Sequence, residues 1–166
     1  AGQVLFEQDF DALNTGATPE NWKGSYEQAS LTVSQNPLVA GPHKYLKFLK
    51  QVSNEETLFC ALIPDTGRHP VFEFELCCLG VNQSTIGLYL ESVESEEISL
   101  GARFQTDPTT QQLVVRLGDH SFPYVSGQWQ SFRFEMDLDA GHYRALRDKK
   151  TVIEEAPLPP EAALFD

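Results

Sequence analysis

Between residues 130 and 138 polar and apolar positions alternate without a break. Phe132, Phe134, Met136 and Leu138 share one face; Ser131, Arg133, Glu135 and Asp137 share the other. A period of two is what a strand with one buried face requires. Asp139-Ala140-Gly141 then supplies turn residues, a second strand begins over 142–146, and Asp148-Lys149-Lys150 turns the chain back into Thr151-Val152-Ile153. A long strand, a hairpin and a second reversal predict an antiparallel meander.

The same pattern recurs upstream. Residues 4–10 place Val4, Phe6 and Phe10 on one face, and 31–33, 44–49 and 57–63 read as further short strands. In 71–79, Phe72, Phe74 and Leu76 point inward and Glu73 and Glu75 outward. In 85–93, Ile86, Leu88 and Leu90 oppose Tyr89 and Glu91. In 98–105, Ala102 and Phe104 oppose Arg103 and Gln105; in 113–117, Leu113, Val115 and Leu117 oppose Val114 and Arg116. Asn36-Pro37, Gly41-Pro42, Pro64-Asp65-Thr66-Gly67, Asp107-Pro108 and Gly118-Asp119 punctuate these segments. About ten short strands between turn signals, with no helical period beyond a turn near 160–163, predict an all-β sandwich of two antiparallel sheets. Pro157-Leu158-Pro159-Pro160 is unsuited to a central strand, and the chain ends at Leu164-Phe165-Asp166, which reads as a strand just beginning or a domain cut from a longer polypeptide.

Length and composition narrow the picture. At 166 residues the simplest organisation is one domain over 1–166. No apolar run reaches the ~20 residues that cross a bilayer. Against 24 acidic residues stand 12 basic ones, a net charge of −12, which disfavours nucleic acid and anionic membranes as partners. Cys60, Cys77 and Cys78 contain no CxxC and are too few for a disulfide scaffold; they read as small buried hydrophobes, although one of the adjacent pair could reach Cys60. Ala1-Gly2 fits a mature N-terminus after leader removal as well as it fits a cloning scar.

Four pieces of the chain carry a family resemblance: LFEQDFDAL followed by Gly16, Pro19 and Trp22; the alternating FEFEL of 72–76; Gly127-Gln128-Trp129-Gln130-Ser131-Phe132; and the hairpin of 137–152. Together they resemble the concanavalin A-like lectin/glucanase superfamily with its laminin-G-like, bacterial-type jelly rolls. The resemblance implies a two-sheet antiparallel jelly-roll sandwich. Two departures stand out: Lys149 occupies the place of the glycine in the family's Asp-Gly-Lys turn, and the last strand is short or missing. That fold hosts lectins, hydrolases, lyases and adhesion modules alike, so function rests on particular residues.

Glycosidases need two carboxylates across the scissile bond. Glu73 and Glu75 lie on one face of one strand, but the third place of the glucanase E-x-D-x-x-E arrangement is Cys78, and the acidic stretch of Glu91, Glu94, Glu96 and Glu97 straddles a turn. The four histidines sit beside Gly, Pro or turns and no nucleophile elbow is present. Calcium is the implied cofactor: Glu7, Asp9 and Asp11 alternate near the N-terminus, with Asp9 and Asp11 the principal ligands, and Asp137 with Asp139 form a second set. Sugar binding needs aromatic faces and planar polar groups. Tyr89, Glu91, Arg103 and Arg116, with Gln105, fall on the outward face of three successive strands and form the predicted ligand patch. His120, Tyr124 and His142 offer a loop-tip alternative; Trp22 and Trp129 read as packing residues at strand ends.

The expectation is therefore a non-catalytic, lectin-like module, secreted or periplasmic, that binds an oligo- or polysaccharide, alone or beside other domains of a larger protein. Its rivals are a glycoside hydrolase or polysaccharide lyase of the same fold, and a protein–protein assembly module.

Overall fold

The computed structural model describes residues 4, 7–24, 29–50, 60–61, 67–78, 84–88, 100–107 and 109–158. The chain forms two compact units, Ala1–Thr66 and Gly67–Asp166. No helix among the described residues is long and apolar enough to cross a membrane.

The first unit contains β1 (Trp22–Lys23), β2 (Ala29–Ser34), a short helix α1 (Pro37–Ala40), β3 (Tyr45–Lys50) and β4 (Cys60–Ala61). Strands β1 and β4 pair antiparallel, as do β2 and β3, which set Leu31 opposite Phe48 and Val33 opposite Leu46. Val33 is 1% exposed and Leu31 is also buried. The other edge of β2 is met by the preceding loop, where the Gly16 amide donates to the Val33 carbonyl and the Val33 amide donates to the Ala17 carbonyl.

Two sequence expectations are corrected in this unit. Of the strand predicted over 4–10, the described residues form none; at its end the chain turns, with the Asp11 amide donating to Asp9 Oδ1 at 2.9 Å and the Leu13 amide to the Phe10 carbonyl. Asn36-Pro37 is more than a break. Asn36 Oδ1 accepts from the Leu38 amide at 3.0 Å, and proline occupies the first helical position, where it lacks only an amide that would be unsatisfied anyway. The strand predicted over 57–63 is described only at β4.

The second unit is built from β5 (Val71–Cys77), β6 (Ser84–Leu88), β7 (Leu100–Thr106), β8 (Leu113–Leu117), β9 (His120–Pro123), β10 (Trp129–Asp137), β11 (His142–Arg147) and β12 (Lys150–Pro157). These form two four-stranded antiparallel sheets, ordered β12-β11-β10-β5 and β6-β7-β8-β9. The antiparallel all-β class expected from the alternation is what the structure shows. Phe132, Phe134, Met136, Ala145 and Ile153 of the first sheet are buried, as are Ala102, Phe104, Val115 and Leu117 of the second. Phe104 meets Phe132 edge-on at 6.0 Å across the two sheets, and Phe74 stacks on Phe132 at 5.4 Å within the first. The buried Tyr124 ties their ends: its hydroxyl donates to the Gln128 carbonyl at 2.7 Å and accepts from the Cys78 amide at 2.8 Å. Burial pushes the pKa of that phenol up.

Three details depart from the pattern. Val114 is only 8% exposed although it alternates with core residues, because β8 is an inner strand and Gln105 and Pro123 flank Val114 directly. Gln130 continues the inward face of β10, and its Oε1 is buried without a hydrogen-bond partner. Finally, β12 continues to Pro157, which is tolerated because β12 borders its sheet and the proline ends it. Glu154 and Glu155 lie in a β-bulge there, between the pairs Ala145–Ile153 and Tyr143–Ala156.

The reversal between β11 and β12 has Asp148 at φ 50° and Lys149 at φ 64°, two successive left-handed residues, the geometry of a type I′ hairpin turn. Asp148 is anchored: its amide donates to the Ser131 carbonyl at 2.9 Å, and its Oδ1 accepts from the Ser131 amide at 3.0 Å. Lys149 has a side chain where glycine carries no steric penalty. Lys149→Gly is therefore expected to stabilise the fold by about 0.5–1 kcal/mol, read as a higher urea midpoint at unchanged slope. A lower midpoint would show that the lysine stem contributes more than its backbone conformation costs.

Candidate functional site

On the second sheet, alternation is what sorts the side chains. With Ala102, Phe104, Val115 and Leu117 filling the interior, Arg103 and Arg116 stand on the opposite face. Antiparallel register places them directly across from each other, and the row continues to Thr85 on β6 and Ser121 on β9. Four strands about 4.8 Å apart make this row roughly 14 Å long. The neighbouring register pair is Gly87 opposite Gly101, two positions without side chains beside the arginines. Glycine inside a strand weakens it and suits a close approach of another molecule. Arg103 is exposed and Arg116 half-buried. Among the described residues neither guanidinium enters a hydrogen bond or an ion pair. The structure thus brings together two of the four predicted patch residues; Tyr89 and Glu91 lie outside the described residues.

The outer face of the first sheet is organised differently. Arg133 donates to Glu73 and to Glu135, each at 2.7 Å, and Arg144 donates to Thr151 at 2.6 Å with Glu135 at 3.7 Å. Both neighbouring carboxylates hold Arg133 more firmly protonated, the Glu135 contact most. An open groove of about 410 Å³ lies at one end of this face, lined by His69, Glu135, Asp137, His142, Arg144 and Glu155 among others. Some of its ionisable groups have partners: His142 Nδ1 lies 3.2 Å from Glu155 and the Ala140 amide donates to Asp137 at 2.9 Å. Trp129 belongs to this outward face, 37% exposed, since the inward positions of β10 are the even-numbered ones.

His69, Asp137 and Asp139 place one ligand-type atom each within 4.8 Å of one another. The sequence offered Asp137 and Asp139 but not His69, because only the pairing of β5 with β10 brings the segment before β5 to the β10–β11 turn. Arg68 donates to Asp139 at 2.8 Å, so a cation is already present beside that carboxylate.

Of the donors predicted for calcium near the N-terminus, Asp11 is held by other groups of the chain. Asp11 Oδ1 accepts from the Lys44 amide at 2.6 Å, and its Oδ2 lies 2.8 Å from His43 Nδ1. The His43 bond, then the Lys44 amide, lowers the pKa of Asp11, and the same carboxylate raises that of His43. The Lys44 ammonium donates to the carbonyls of Asp11 at 2.9 Å and Leu13 at 2.6 Å. His43 and Lys44 thus engage the Asp11 carboxylate and the carbonyls beside it, while Asp9 Oδ1 accepts the Asp11 amide at 2.9 Å.

Burial raises the pKa of the Cys77 thiol, which makes it a poor nucleophile. Of the loop-tip alternatives, His120 stacks on Phe122 at 6.5 Å, Tyr124 is buried in its tether and His142 pairs with Glu155. No protein-family model, no curated protein and no solved structure matches the chain.

Proposed function

We propose that the chain is a non-catalytic carbohydrate-binding module, lectin-like and of jelly-roll type, that acts on an oligo- or polysaccharide outside the cell or in the periplasm. The observation that carries this reading is the register row Arg103–Arg116–Ser121 beside the glycine pair on one sheet face. Guanidinium groups offer planar sets of donors that suit adjacent sugar hydroxyls, and paired glycines let a ring approach the backbone. A hydrolytic reading is less well supported: Glu73 and Glu135 on the β10 face both hold the Arg133 guanidinium, and Glu155 at the groove lies 3.2 Å from His142 Nδ1. A glycan array tests the proposal. Binding to at least one saccharide, weakened tenfold or more by Arg103→Gln and by Arg116→Gln, is expected. An array with no bound member, or binding unchanged in both variants, overturns it.

A further inference from the structure

The chain has six arginines. Four are engaged: Arg68 with Asp139, Arg133 with Glu73 and Glu135, Arg144 with Thr151 and Glu135, and Arg147 with the Pro123 carbonyl at 2.9 Å. The two that engage no partner among the described residues, Arg103 and Arg116, are the two that face each other across β7 and β8. Like charges directly opposed on one sheet face destabilise it. Arg116 is also half withdrawn from water, which raises the cost of an uncompensated charge. In a chain with 24 acidic residues, carboxylate partners are plentiful, and none of the described ones is supplied here.

We infer that this arginine pair is the seat of an oxyanion carried by the saccharide, a uronate carboxylate or a sulfate ester, held between the two guanidinium groups. The inference rests on the carbohydrate reading above and adds the class of sugar. One anion between two guanidiniums would offset the opposition of two like charges in register and add charge-assisted hydrogen bonds, and guanidinium geometry matches two-oxygen acceptors. The acidity of the rest of the chain does not prevent this. At physiological ionic strength charges more than about 8 Å apart are largely screened, so the local pair dominates once the ligand is seated. Long polyanions, which must also lie along the acidic surface, are disfavoured relative to short acidic oligosaccharides.

The test uses the full chain and a panel of short uronate oligosaccharides, each with its carboxyl-reduced neutral counterpart, together with sulfated galactan oligomers, in calorimetric titrations at low and high salt. At least one acidic oligomer is expected to bind tenfold or more tightly than its neutral counterpart. Arg103→Gln and Arg116→Gln should each abolish that preference, and high salt should reduce it. The melting temperature of both unliganded variants should be equal to or above that of the parent, which separates a ligand-binding pair from a structural one. Preference for uronates identifies a carboxylate as the anion, and preference for sulfated galactan identifies a sulfate; either supports the inference. Equal binding of acidic and neutral members overturns the oxyanion and leaves the carbohydrate reading standing. Binding of no member overturns the oxyanion inference, and the glycan array alone decides the carbohydrate reading. A preference that survives in both variants, or variants that melt well below the parent, removes the arginine pair from the role.

Discussion

Replacing Phe132 by alanine is expected to cost about 3–5 kcal/mol of folding stability. The side chain is 0% exposed and sits where the two sheets of the second unit meet. It stacks on Phe74 at 5.4 Å within its own sheet and receives Phe104 edge-on at 6.0 Å from the other. Alanine removes the ring and leaves a cavity between two elements that cannot both close on it, because each is fixed by ladders on either side: β10 by β5 and β11, β7 by β6 and β8. Against a total of about 5–15 kcal/mol for a typical domain, this loss removes roughly a fifth of the reserve or more. Urea unfolding followed by tryptophan fluorescence reads it as a lower midpoint. A loss under about 1 kcal/mol would mean that Phe132 is not at the centre of the packing.

Gly118→Ala is expected to cost about 2–3 kcal/mol, from two separable sources. Gly118 lies in the turn between β8 and β9 with φ +57°, where a side chain brings a penalty of about 1 kcal/mol by itself. The added Cβ would also stand 2.6 Å from the Tyr143 hydroxyl oxygen, while the next ring carbon is 3.9 Å away, an ordinary contact. Tyr143 is buried and cannot swing aside freely; burial, then the nearby Asp119 carboxylate, raises the pKa of its phenol. The double variant Gly118→Ala/Tyr143→Phe separates the sources. Without the hydroxyl the clash disappears, so alanine in the Tyr143→Phe background should cost only the backbone share. Equal costs in both backgrounds would show that Tyr143 does not press on the turn.

Much of the second unit was legible in the sequence because period-two alternation and burial have the same cause. Phe132, Phe134 and Met136 on one face and Arg133 and Glu135 on the other follow from that rule, and so does the shared face of Arg103 and Arg116. What alternation does not encode is which strand lies beside which. The direct opposition of the two arginines depends on register, and the approach of His69 to Asp137 and Asp139 depends on β5 pairing with β10. In the first unit, local side-chain bonds accompany the departures from the apolar pattern: Asp9 accepts from the Asp11 amide at the end of the stretch where alternation predicted a strand, and Asn36 starts a helical turn where Asn-Pro was read only as a stop. Which face Trp129 takes at its strand end also depends on register. As the first residue of β10 it takes the face its register assigns, and that face is the outer one.

The bordering strands of the Phe132 sheet have a consequence for how copies of this protein meet. Among the described strands, β12 finishes in a proline that offers no amide to a newcomer, and β5 presents alternate glutamates, Glu73 and Glu75, along its flank. A sheet hemmed in this way resists sideways growth by an extended segment from a neighbour. Crowded copies then keep this ladder to themselves.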